Sequence, residues 1–170
     1  MQNNMIKAIH NIVNAINLLT RAIKDVRITS SLANGFDYIS SSAVTTCTLS
    51  DTFYKILGTY GAIEHTDFSV SVQTITYNGT KTAKFLLNVS VSMIVDTLNV
   101  VASYSPAVNG SVNANLILTR KIGGIGDVGS LSGSGPFHLD PGDELEIHVA
   151  CDNAGTVLTA EKMLISIQPI

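Results

Sequence analysis

The feature that most constrains this chain is a change of period near Arg27. From Met5 to Val26 the apolar residues Met5, Ile9, Ile12, Ile16, Leu19, Ile23 and Val26 recur at alternating intervals of four and three. That is the seam of a coiled-coil heptad sustained for three repeats. Placing Ile9, Ile16 and Ile23 at the a positions leaves Met5, Ile12, Leu19 and Val26 at d, a combination that favours three strands over two. Ile6 and Val13 at e, with Ala8, Ala15 and Ala22 at g, widen the apolar face beyond what a dimer covers. The polar positions carry Asn11, Asn14 and Asn17, which form helix poorly, so partners are expected to supply the helix's stability. A helix of about 22 residues is about 33 Å long. The alternatives are an amphipathic helix packed on its own domain and a membrane-surface helix. The second is disfavoured by a polar face with only Lys7, Arg21, Lys24 and Arg27 against Asp25.

Beyond Arg27 the apolar residues alternate instead. Phe68, Val70 and Val72 do so, as do Phe85, Leu87, Val89, Val91 and Met93; Leu145, Ile147, Val149 and Cys151; and Met163, Ile165 and Ile167. Each set reads as a strand with one face in a core. Less regular candidates span 44–49, 53–57, 98–104 and 115–121. Turn signals fall at Asn34-Gly35, Asn78-Gly79, Asn109-Gly110, Pro141-Gly142 and Asn153-Ala154-Gly155. About eight short strands with no helical pattern between them imply a mainly β, antiparallel jelly-roll sandwich. The expected organisation is a helical trimeric coiled-coil stalk or anchor over 1–28, a linker over 29–42 and a sandwich head over 43–170.

Composition excludes several function classes. Charged residues are 14% of the chain, and its 46 Ser, Thr and Asn residues supply the polarity instead. The net charge of −3 hides a basic stalk of +3 and an acidic head of −6. That balance argues against a nucleic-acid binder. No apolar run reaches the length of a membrane-spanning helix, so no membrane insertion is expected. The N-terminus lacks the basic-then-apolar pattern of a secretory signal, so synthesis in a cytosol without export is the expectation. There, Cys47 and Cys151 are expected as unpaired buried thiols rather than a disulfide, because a reducing compartment disfavours the bond. The three Asn-x-Ser/Thr sequons, at Asn78, Asn88 and Asn109, then carry no meaning.

No catalytic residue, cofactor-binding residue or metal ligand is assigned. Gly124-Ile125-Gly126-Asp127-Val128-Gly129 matches a dinucleotide fingerprint, but that motif works only where a strand feeds a helix. The Gly- and Ser-rich segment Ser130–Pro136 cannot begin one, so a flexible inter-strand loop is expected. Of the four histidines (His10, His65, His138, His148), His10 falls on the stalk's polar side. His138 and His148 flank an acidic turn, and a solvated surface is favoured over a metal site there. Asp140, Asp143, Glu144 and Glu146 crowd that turn. Backbone capping by these carboxylates is the expectation, and an oxygen-rich calcium site is the alternative.

The segment Phe137-His138-Leu139-Asp140-Pro141-Gly142-Asp143-Glu144-Leu145-Glu146-Ile147-His148-Val149, a loop and a closing strand Met163–Ile167 together resemble the TNF-like jelly roll of complement-type globular heads. Thr82–Met93 resembles that family's long central strand, and Ala107–Gly110 its exposed hairpin. The resemblance covers about residues 43–170 and implies a tight homotrimer with the C-terminal strand near the shared axis. A coiled-coil stalk, such a head and no export signal resemble bacteriophage fibre or spike proteins. The implied function is a trimeric virion structural protein, assembled in the host cytoplasm and displayed on the virion surface. A capsid or tail protein would grip its N-terminal helix, and the head would serve host attachment, to a glycan or protein, or decorate the capsid. Head loops around Asn78-Gly79, Asn109-Gly110 and Asp152–Gly155 are the expected contact region. The runner-up is a bacterial cell-surface or spore-coat adhesion protein of the same fold. A secreted cytokine-like ligand would need the export signal that is missing.

Overall fold

The heptad stretch is helical and the alternating stretches are strands. A computed structural model describes residues 2–31, 35–38, 43–59, 61 and 67–170, with side chains described for 5, 7, 9–22, 43–59, 61 and 67–170. The chain divides into two compact units, Met1–Ala33 and Asn34–Ile170.

The first unit is the helix α1, Gln2–Ser31. At 30 residues it is about 45 Å long. The seam residues Met5, Ile9, Ile12, Ile16 and Leu19 are all more than half exposed, between 54% and 63%. So is Leu18, at 67%. The side chains of Ile6, Ala8, Ile23 and Val26 lie outside the described residues, as do His65 and Asn34. His10 is exposed on the helix, as its place off the seam predicts.

The second unit is two packed antiparallel sheets. One contains β1 (Gly35–Tyr38), β12 (Thr156–Pro169), β6 (Ala83–Val95) and β10 (Gly129–Leu139) in that order, with β2 (Ala43–Cys47) also pairing β12. The other runs β4 (Phe68–Ser71), β5 (Thr74–Tyr77), β11 (Glu144–Cys151), β7 (Val100–Val108), β8 (Ser111–Val112). Here β3 (Tyr54–Lys55) pairs β11, and β9 (Leu118–Ile122) pairs β7. The sequence alternation marks the inward faces of β6, β11 and β12 correctly, but in Phe68/Val70/Val72 only Phe68 is buried, because β4 ends at Ser71 and Val72 is exposed in the turn to β5. Phe85, Leu87, Val89, Val91 and Met93 of β6 are buried against Leu145, Ile147 and Val149 of β11 and Met163, Ile165 and Ile167 of β12 are buried with them. At one end Phe68, Tyr77, Phe85 and Phe137 form a ring cluster with centroids 5.2–5.9 Å apart, drawn from four strands of both sheets. In the middle, the Tyr104 hydroxyl of β7 donates to the Val89 carbonyl of β6 across the core.

Two segments depart from the sequence expectation. The stretch assigned as a linker, 29–42, contains the end of α1 and the strand β1, so the sandwich starts earlier than residue 43. The pairs Gly35↔Ile167 through Tyr38↔Leu164 add β1 beside β12. Four residues are too few for their alternation to register as a period, and the ladder partner lies at the far end of the chain. The segment Ser130–Pro136, expected as flexible loop, is the middle of the eleven-residue β10, paired with β6 from Gly129↔Met93 to Leu139↔Ala83. Its Ser residues face out, and Gly133 and Gly135 face in, where Leu118 and Leu116 occupy the space a Cβ would need. Glycine here makes room for Leu118 of β9 in the opposite sheet and for Leu116 of the helical turn before it, rather than for loop flexibility.

That packing gives a directional test. Gly133→Val should destabilise the head by about 1–3 kcal/mol through overpacking. Ser130→Val, three residues back on the exposed outer row, should stay within about 0.5 kcal/mol. Urea melts of the two variants read the difference, and adding Leu118→Ala to Gly133→Val should recover part of the loss. Equal effects for the two single variants would contradict the inward placement of Gly133.

Candidate functional site

The strand directions sort the loops into two ends. The backbone of Tyr77 both donates to the Asp143 carbonyl and accepts from Gly142 N–H, and Asn109 N–H donates to the Glu144 carbonyl. Asn78-Gly79, Asn109-Gly110 and the acidic turn therefore share the end at which β1 begins beside Ile167. The loop Asp152–Gly155 lies beyond the other end of β11. The Asp152 N–H donates to the Val101 carbonyl, and Gly155 N–H to that of Cys47. An eight-residue strand, about 26 Å, separates the ends. Of the three loops expected to form one contact surface, the structure brings two together and places the third opposite. The reason is that β7 ends and β11 begins at the same end, whereas Asp152 follows the far end of β11.

At the acidic turn the carboxylates serve the backbone. Asp143 accepts from Asp140 N–H through Oδ2 (2.8 Å) and from Asn109 Nδ2 through Oδ1 (2.8 Å), while Glu144 N–H donates to Asn109 Oδ1 (2.9 Å). Thr82 Oγ1 donates to Asp140 Oδ1. Gly142, at φ 90°, occupies the left-handed region that lets the chain reverse here. Glu146 leaves this group altogether, so the four carboxylates do not converge on one point.

Instead Glu146 and His148 lie on the outward row of β11, yet both are 8% exposed. Lys55 Nζ donates to Glu146 Oε1 (2.7 Å) and Thr74 Oγ1 (2.8 Å), and His148 Nε2 sits 2.7 Å from Glu146 Oε2. The expected solvated His148 is thus a covered one. Register supplies the reason: Lys55 of β3 lies directly opposite His148, and Thr74 of β5 adjoins Glu146. His138 is exposed on β10 in the other sheet, so the two histidines do not meet. Among the described residues there is no group of three or more His, Cys, Asp or Glu placed to hold a metal ion. Burial pushes the Glu146 carboxyl up, but hydrogen bonds and charge from Lys55 and His148 outweigh it and hold the group below the ordinary carboxylate range.

The end around Asp152 has a different character. Asp96 Oδ1 accepts from Val157 N–H and Asp152 Oδ1 from Val101 N–H, each at 2.9 Å, which fixes the loop bases. Asp127 N–H donates to the Gly124 carbonyl and Gly126 N–H to that of Val95, so the glycine-rich motif is a turn between β9 and β10. It feeds a strand, not a helix, and offers no helix N-terminus for a pyrophosphate. Around these turns Leu49, Leu98, Ile125 and Val128 are exposed by 57–64% beside exposed Asp51, Asp96, Asp127, Asp152 and Asn153. Sequence reading found Asp152–Gly155. It also read Gly124–Gly129 as an inter-strand loop and missed 96–99; that these loops share one end with Asp152 follows only from the fold.

No protein-family model and no curated protein matches the sequence. The two-sheet order defines the class: this is a TNF-like jelly roll. Among solved structures it is similar to murine APRIL, whose crystal structures at pH 8.0 and pH 5.0 each superpose with a TM-score of 0.54 at 14% identity. The pH 8.5 form gives 0.52 at 13%. Each match covers 79% of this chain and 98% of the APRIL chain. At this identity the likeness establishes the fold.

The Lys55–Glu146–His148 cluster yields a pH prediction. A carboxyl whose folded pKa is depressed stabilises the fold above its unfolded pKa, and that stability is lost as pH falls through the folded value. Glu146→Gln should therefore cost about 3 kcal/mol at pH 7, where it leaves Lys55 without its partner. The gap to the parent chain should shrink in urea melts as the pH drops below the ordinary carboxylate range. A gap that stayed constant down to pH 3 would mean that the charge of Glu146 contributes nothing.

Proposed function

We propose that the chain is one third of a trimeric attachment or decoration protein of the bacteriophage fibre or spike kind. In this reading the N-terminal helix trimerises and is gripped by a capsid or tail protein, and the TNF-like head is displayed on the virion surface. The observation that carries it is a 30-residue helix in its own compact unit, with a heptad seam left more than half exposed, joined to a TNF-like sandwich. An isolated helix with that much exposed aliphatic surface and three Asn residues at its polar positions is marginal in water, and two further copies would cover the seam.

The head supports the same reading. The outer face around β12 carries Asn88, Ser90, Ser132, Ser134, Leu164 and Ser166, which line a shallow hollow of about 290 Å³ without a charged group. An uncharged face can be buried between subunits without desolvating ions. The loops opposite the entry of β1 (Asp96–Asn99, Gly124–Val128 and Asp152–Gly155) are then the surface offered to a host glycan or protein. The role is one of binding and assembly rather than catalysis.

Light scattering at micromolar concentration should give about 54 kDa, three times the 18.0 kDa chain. Ile16→Asp, a charge in the middle of the seam, should lower the mass toward the monomer or weaken the trimer at least tenfold, as should removal of residues 1–33. A parent chain near 18 kDa would end the trimer reading. Electron microscopy and mass spectrometry of co-purifying material should find phage capsid or tail protein. A cell envelope or spore coat in its place would move the protein from virion to bacterial surface.

A further inference from the structure

Two buried groups take no part in that function. Cys47 ends β2 in one sheet, and Cys151 ends β11 in the other, 104 residues apart. Their Sγ atoms are 3.1 Å apart, and the residues are 0% and 1% exposed. Neither is placed by chance of a mobile loop. Cys47 lies opposite Thr156 in the β2–β12 ladder and its carbonyl accepts from Gly155 N–H. Cys151 lies opposite Ala102 in the β11–β7 ladder and its carbonyl accepts from Asp51 N–H. Both backbones are thus fixed by regular pairing, with the two side chains directed at each other across the core. We infer that Cys47 and Cys151 are a redox modification site, in which a small-molecule disulfide such as oxidised glutathione converts the two facing thiols to a disulfide that staples one sheet to the other.

The chemistry balances through thiol–disulfide exchange. One cysteine thiolate attacks a sulfur of the oxidant, forming a mixed disulfide and expelling one glutathione thiolate, which takes up the proton. The second cysteine loses its proton, attacks the protein sulfur of that mixed disulfide and expels the second glutathione. The two protein thiols lose two electrons and two protons, and the oxidant gains both as two thiols. The two thiols differ. The hydrogen bond between the two sulfurs outweighs burial and holds the Cys47 thiol below its ordinary value. The facing Cys47, then burial and the carboxylates of Asp152 and Asp96 push Cys151 up. Access comes from position. Both cysteines are strand ends, adjoining the exposed loops 48–52 and 152–155, so opening of one strand terminus rather than of the whole core exposes them. Closure needs the sulfurs to approach by about 1 Å to reach bonding distance.

The test uses the full-length chain, refolded from urea through a buffer of oxidised and reduced glutathione and, separately, incubated folded with oxidised glutathione. Intact mass should fall by about 2 Da with no glutathione retained, and both thiols should become unreactive to iodoacetamide under denaturing conditions. The thermal midpoint should rise by about 5–15 °C, as a loop of this length implies, and dithiothreitol should reverse it. Cys47→Ser and Cys151→Ala should each abolish the mass loss and the midpoint shift, and circular dichroism confirms that each folds. Two alkylatable thiols after both treatments would overturn the inference. So would stable glutathione adducts on both cysteines, or cross-links between chains. Oligomeric mass is measured in parallel, so a monomeric chain that still forms the bond would refute the trimer and leave the redox site standing.

Discussion

The ladder between β6 and β12 holds the head together. It joins residues 85–95 to residues 158–169, and a register shift between Ala160 and Lys162 lets both keep their aliphatic faces turned inward. One strand lies in the middle of the chain and the other at its end, so no local turn sets their register. What sets it is the penalty for slipping by one, which would carry Leu87, Val89 and Val91 into solvent and bring Asn88, Ser90 and Ser92 into the core. Every other strand of this sheet is attached to that pair: β1 and β2 to β12, and β10 to β6.

Against this ladder the second sheet packs with contacts of three kinds, arranged along the strands. The ring cluster of Phe68, Tyr77, Phe85 and Phe137 closes the end where β1 enters. Tyr104, whose buried hydroxyl is pushed up to about 12, spans the middle. The cysteine pair faces across the opposite end. The aromatic end is ringed by short, mutually bonded turns, in which the Asn109 side chain donates to Asp143 and the two side chains accept from the Glu144 and Asp140 N–H groups. The cysteine end carries longer loops with exposed aliphatic side chains among carboxylates. A binding surface needs groups left unspent by the fold, and the second end has more of them.

The cluster of Lys55, Glu146 and His148 is a buried polar group that serves the packing of the sheet. Its three members come from β3 and β11, and Thr74 of β5 completes the set. Each polar contact is internal to the head and joins β3, β5 and β11 on the outer face of one sheet. Its physical role is to tie the two-residue β3 to the sheet, because two ladder pairs alone hold it weakly.

The sequence by itself determined the periods. Spacings of four and three residues required a helix with one apolar seam, and strict alternation over Phe85–Met93, Leu145–Cys151 and Met163–Ile167 required strands with one apolar face, because side-chain direction repeats with the backbone; that the other face of Leu145–Cys151 is also covered came from the fold. The Gly142-Asp143 turn and strand order were enough to suggest the TNF-like class. Tertiary structure decided whatever depends on residues distant in the chain. It made a strand of the Gly- and Ser-rich β10, since only Leu116 and Leu118 arriving from elsewhere explain glycine on its inner face. It added β1 beside a strand over a hundred residues away, buried His148 beneath Lys55, split the candidate loops between two ends and set Cys47 against Cys151. None of these has a period to read, because each is fixed by which strands become neighbours rather than by where any one side chain points.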